Sequence, residues 1–130
     1  MEPLVDQEKI LLADDEPQIL ALLTEFLGSQ GYAVRAVADG REALQAVQEE
    51  EFHLALLDLE LPGFSGLELL SGIKAKAPHT EVILFTGYAG LDSAIQALRL
   101  GAYDYLLKSE MRLDDLQAVV ARPWSGGVWT

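Results

Sequence analysis

Leu54-Ala55-Leu56-Leu57 is an unbroken apolar run that stops at Asp58. A short run of this kind, bounded by polar and turn residues, reads as a strand buried on both faces of a parallel sheet. A carboxylate inside such a sheet needs a compensating charge, so Asp58 belongs at the strand's C-terminal edge. Pro62-Gly63 then turns the chain away. In open α/β sheets, ligand chemistry gathers at the carboxyl ends of the strands. The most hydrophobic element of the chain therefore delivers an acid to the reactive edge.

The same design recurs. Lys9-Ile10-Leu11-Leu12-Ala13 ends in Asp14-Asp15, Glu81-Val82-Ile83-Leu84-Phe85 in Thr86-Gly87, and Tyr103-Asp104-Tyr105-Leu106-Leu107 in Lys108. A strand predicted over Tyr32–Val37 brings no polar group that stands out. Between these runs the apolar residues take helical spacing. Ile19, Leu20, Leu22, Leu23, Phe26 and Leu27 follow Glu16-Pro17 and stop at Gly28 and Gly31. Asp39-Gly40 caps a second helix with Ala43, Leu44 and Val47; Leu67, Leu69, Leu70 and Ile73 mark a third, closed near Pro78. Asp92 or Ser93 is the expected cap of a fourth, carrying Ile95 and Leu98 and ended by Gly101. Leu113, Leu116, Val119 and Val120 give the last. Strands alternating with helices predict an α/β fold, a three-layer α/β/α sandwich on a five-stranded parallel sheet.

The 130 residues make one domain, read as residues 8–121 between an N-terminal extension (1–7) and a tail (122–130). The tail, Pro- and Gly-broken and holding both tryptophans, is expected to be the start of a linker or an expression remnant. No cysteine is present, which excludes disulfides, zinc thiolate sites and thiol catalysis. No apolar run approaches a membrane span, and the N-terminus lacks a signal-peptide pattern, so a cytoplasmic location is expected. A net charge of −12 argues against direct nucleic-acid binding and suits a divalent cation or a basic partner.

Four strand ends thus bring Asp14-Asp15, Asp58, Thr86 and Lys108 to one edge. Converging carboxylates repel and raise each other's pKa, unless a cation joins them. Oxygen-only donors suit Mg²⁺, which readily takes a phosphate oxygen as a further ligand. With Lys108 as a fixed positive charge and Thr86 as a donor, the pocket is one to stabilise a phosphoryl group, and Asp58 is its natural nucleophile. His53 and His79 have no metal-ligand spacing and read as surface residues.

The segments Ile10–Pro17, Leu56–Gly63, Phe85-Thr86-Gly87-Tyr88 and Gly101–Lys108 together resemble the receiver domain of two-component response regulators. The wording from Thr86 to Lys108 is most similar to receivers attached to enhancer-binding activators or sensor kinases. The resemblance implies a flavodoxin-like strand order 2-1-3-4-5. It implies Asp58 as phosphoacceptor, with Asp15, Asp58 and the Glu60 carbonyl as Mg²⁺ ligands and Asp14 acting through a water. Lys108 and Thr86 would hold the phosphoryl group, and Thr86 with Tyr105 would form the switch. Glu60, Gly87 and Tyr88 match positions that tune hydrolysis of the acyl phosphate or access to it. The implied partners are a sensor histidine kinase or a phosphotransfer protein, and an effector domain outside this chain. A homodimer through helix 4, strand 5 and helix 5 is allowed, although the short last helix leaves that surface incomplete.

The family lysine is usually followed by a cis-linked proline, whereas Ser109 follows Lys108 here. A cis bond before a non-proline residue costs about 2.5–4 kcal/mol, so the expectation is a trans bond with a shifted loop or a strained cis bond. Two other readings compete. Aspartyl-phosphate phosphatases place a general-acid Asp two residues after the nucleophile; Glu60 stands there, and 130 residues leave no room for a cap domain. A docking module that needs no phosphorylation is favoured only by Ser109. The expected protein is a switch rather than a turnover enzyme.

Overall fold

A computed structural model describes residues 8–62, 65–87, 91–109 and 112–121. The N-terminal extension, the tail, Gly63 and Tyr88 lie outside these. The elements run β1 (Lys9–Ala13), α1 (Pro17–Ser29), β2 (Ala33–Val37), α2 (Gly40–Glu49), β3 (Leu54–Leu57), α3 (Gly66–Lys76), β4 (Glu81–Thr86), α4 (Leu91–Arg99), β5 (Asp104–Leu107) and α5 (Leu113–Val120). The five strands form one parallel sheet in the order β2-β1-β3-β4-β5. The expected fold class and strand order are both present.

Side-chain alternation explains the unbroken apolar runs. Ile10, Leu12, Leu54, Leu56, Ile83 and Phe85 face Leu23 and Leu27 of α1 and Leu116, Val119 and Val120 of α5. Leu11, Ala13, Ala55, Leu57, Val82 and Leu84 face α2, α3 and α4 through Ala43, Ala46, Leu69, Leu70, Ile73 and Ala97. Both faces are therefore covered, and every residue of β3 is buried. The edge strands are less enclosed, and all four residues of β5 are half-buried.

Local chemistry sets the helix starts. Pro17 opens α1, Asp39 accepts the Glu42 N–H at 2.8 Å, and Ser65 with Glu68 forms a reciprocal capping box on α3. The expected cap of α4 at Asp92 or Ser93 is corrected: the helix already begins at Leu91. Gly101, with φ of 102°, ends α4 as expected, its N–H donating to the Leu98 carbonyl. His53 is not a plain surface residue. It is half-buried, and its Nδ1 accepts the Lys9 N–H at 3.0 Å while its own N–H donates to the Lys9 carbonyl.

Gly66 ties the start of α3 to the loop that follows Asp58. Its N–H donates to the Leu59 carbonyl at 3.0 Å. A Cβ there would run into Leu59 Cα and lie 2.6 Å from Leu59 O. Neither backbone atom can rotate away, so Gly66→Ala is expected to cost on the order of 2 kcal/mol through overpacking. Urea denaturation checks this; an unchanged midpoint would contradict the close approach.

Candidate functional site

Three backbone hydrogen bonds carry the parallel ladder one residue past the strands. The Asp14 N–H donates to the Val37 carbonyl (3.1 Å), the Asp58 N–H to Ala13 (2.9 Å) and the Lys108 N–H to Thr86 (2.7 Å). Since Ala13 pairs with Leu57 and Leu107 with Thr86, the sheet holds the next residues in register. This is why groups remote in sequence meet.

The two strand-end aspartates fold alike. Asp14 Oδ1 accepts the Glu16 N–H at 2.8 Å, and Asp58 Oδ1 accepts the Glu60 N–H at 2.9 Å. Each short side chain thus satisfies the amide two residues on. The second oxygens face Lys108: its Nζ is 2.7 Å from Asp14 Oδ2 and 3.0 Å from Asp58 Oδ2. The approach to Asp14 Oδ2 is ionic but does not have the angle of a hydrogen bond, which leaves that buried oxygen without a directed donor. The Lys108 ammonium also lies 5.3 Å from the centre of the Phe85 ring, within cation–π range.

A third carboxylate was missed by the sequence reading. Glu16 Oε1 lies 2.6 Å from Lys108 Nζ. The run Asp14-Asp15-Glu16 is the available signal, but next to Pro17 the Glu16 carboxylate looks the same as an acid ahead of a helix. Oxygens of Asp14, Glu16 and Asp58 all lie within 4.8 Å of one another. Asp15 is exposed at the end of β1 and does not belong to this group.

The charges do not balance. Three carboxylates around one ammonium leave two negative charges over. Burial pushes the Asp14 carboxyl above its ordinary 3.8 and Asp58 adds to that, while Lys108 and the Glu16 N–H pull the other way. Burial alone would depress Lys108, but its contacts with Asp14, Glu16 and Asp58 outweigh this and hold it above its ordinary 10.5. An oxygen-only set with two surplus negative charges and an undirected buried oxygen fits a hard divalent cation such as Mg²⁺.

Thr86 is fully buried at the end of β4. Gly87 is exposed, and a Cβ there would meet nothing within 4 Å, so packing does not require a glycine. Glu60 is exposed. Tyr105, paired with Leu84 across the sheet, is half-buried against the core on the α2–α4 side. The Lys108–Ser109 bond is trans, and Lys108 reaches Asp58 all the same.

The profile of the response regulator receiver domain matches residues 10–121. The chain belongs to that family. This receiver domain is 41% identical over 104 residues to the response regulator protein PilR of Pseudomonas aeruginosa, covering 80% of this chain and 23% of that protein. It spans about a quarter of the length of the first curated relatives it matches. Among solved structures it is similar to a CheY-like receiver domain from Methanospirillum hungatei, with a TM-score of 0.85, 34% identity, and coverage of 88% and 91% of the two chains. It is also similar to TrrA of Thermotoga maritima in complex with Mg²⁺-BeF, with a TM-score of 0.78, 35% identity, and coverage of 88% and 96%. Among the described residues of the receiver domain, no helix is long and apolar enough to cross a membrane.

The raised pKa of Asp14 has a sign that can be checked. A carboxyl whose folded pKa exceeds its unfolded value binds its proton more tightly when folded, so the stability it lends at low pH is lost as the pH rises. Asp14→Asn is therefore expected to stabilise the domain at pH 7. That gain should shrink as the pH falls through the ordinary carboxylate range. Urea midpoints at pH 7 and pH 4 test this; a loss at pH 7, or an equal gain at both, would contradict it.

Proposed function

We propose that this domain, over residues 8–121, is a phosphoryl-accepting switch and not a turnover enzyme. The observation that carries the reading is the 3.0 Å contact between Lys108 Nζ and Asp58 Oδ2 at the sheet edge. An Asp58 oxygen attacks the phosphorus of a phosphohistidine on a sensor kinase or phosphotransfer protein. The P–N bond breaks, its electron pair stays on the imidazole, and an acyl phosphate forms on Asp58. Water later attacks the phosphorus, returning the carboxylate and inorganic phosphate.

Mg²⁺, when bound, would neutralise charge on the phosphoryl oxygens. Asp15, which is exposed and outside the Asp14–Glu16–Asp58 group, would hold it together with Asp58 and the Glu60 carbonyl, and Asp14 would act through a water. The Mg²⁺-BeF complex of TrrA supports a Mg²⁺ site here by similarity. Lys108 pairs with the phosphoryl group and the Thr86 hydroxyl donates to it. Gly87 keeps the approach open, in line with the free space around it. Glu60 and Tyr88 tune hydrolysis, Tyr88 lying outside the described residues. Thr86 and Tyr105 couple phosphorylation to a partner-binding surface. The half-buried setting of Tyr105 on an edge strand leaves room for such movement. Relatives several times longer than this chain support an effector domain beyond it. The protein works in the cytoplasm.

Incubation with Mg²⁺ and acetyl phosphate should add one phosphoryl group, read by intact mass. Asp58→Ala should abolish it, as should removal of Mg²⁺ by a chelator. Mass gain that survives in Asp58→Ala would contradict the assignment.

A further inference from the structure

An ammonium has three N–H donors. Lys108 has three carboxylate neighbours: Glu16 Oε1 at 2.6 Å, Asp14 Oδ2 at 2.7 Å and Asp58 Oδ2 at 3.0 Å. A phosphoryl oxygen arriving on Asp58 therefore meets an ammonium that already has three carboxylate oxygens within 3.0 Å, Glu16 and Asp58 accepting its hydrogen bonds and Asp14 in ionic contact only. One carboxylate has to withdraw, and the three are not equivalent. Asp14 is fully buried and tied by its Oδ1 to the Glu16 amide. Asp58 is the group that carries the phosphoryl. The Glu16 side chain is 59% exposed and returns to water at little desolvation cost.

We infer that Glu16 is a positioning residue: it occupies, on the Lys108 ammonium, the place that a phosphoryl oxygen takes, and it must release Lys108 for Asp58 to be phosphorylated. The inference rests on the phosphoacceptor reading of Asp58 above. In the resting domain the contact holds Lys108 over the carboxylates. During phosphorylation the same contact opposes the reaction, because it has to be broken first. Glu16 touches neither the phosphorus nor the leaving group. It acts through Lys108.

Glu16→Gln removes the charge, while Glu16→Asp keeps the charge and shortens the reach. Phosphorylation by acetyl phosphate with Mg²⁺ is followed by mass in both variants and the wild type, with Asp58→Ala as control. Both variants should be phosphorylated roughly two- to fivefold faster, the range set by an exposed ion pair. The ¹⁵N signal of the Lys108 ammonium, recorded without donor, should move in both. A wild-type rate in Glu16→Gln overturns the inference. So does acceleration in Glu16→Gln with a wild-type rate in Glu16→Asp, which is a through-space charge effect. A tenfold weaker Mg²⁺ affinity in Glu16→Gln also overturns it, making Glu16 a metal-site residue instead. No mass gain in the wild type removes the phosphoacceptor reading itself; the Lys108 signal then still decides whether Glu16 holds the lysine.

Discussion

One ammonium among three carboxylates organises the reactive edge of this domain. Lys108 arrives at the end of an edge strand, Asp58 at the end of the central strand, and Asp14 and Glu16 at and just after the end of β1. Like charges this close are stable only when a cation joins them or one of them takes up a proton. The lysine supplies one positive charge against three carboxylates, so the cluster carries surplus negative charge. In the proposed switch, a divalent cation would bring two positive charges and a phosphoryl group a new partner for Lys108.

The rest of the fold makes that meeting possible. Two apolar layers, one against α1 and α5 and one against α2, α3 and α4, clamp the sheet so that its register does not slip. Ladder hydrogen bonds one residue beyond the strands then orient Asp14, Asp58 and Lys108. Gly66 holds the loop after Asp58 by a backbone contact that no side chain could share. The Lys108–Ser109 bond is trans, and the β4–β5 ladder extends to the Lys108 N–H, whose side chain reaches the acids.

Much of this was legible in the residues. An apolar run that ends in a polar group reports both burial and the edge where burial stops, and that reasoning led to Asp14, Asp58 and Lys108, which meet in the structure. It failed for Glu16, whose partner lies 92 residues away. Nothing local to Glu16-Pro17 distinguishes a lysine ligand from an acid at a helix start. The start of α4 was misread for a related reason: Asp92 and Ser93 are good caps by composition, yet the helix begins at Leu91. His53 looked like a surface residue because its role is set by pairing with Lys9 across the sheet, which no periodicity reports.

The most direct test of this electrostatic account is the stability of Lys108→Met against Mg²⁺ concentration. Without its shared cation the cluster should lose on the order of 3–5 kcal/mol at neutral pH, as when one partner of a buried ion pair is removed. Added Mg²⁺ should recover much of that loss, because binding to the folded state stabilises it by mass action. A variant as stable as the wild type without Mg²⁺, or one whose denaturation midpoint ignores Mg²⁺, would contradict the central role of Lys108.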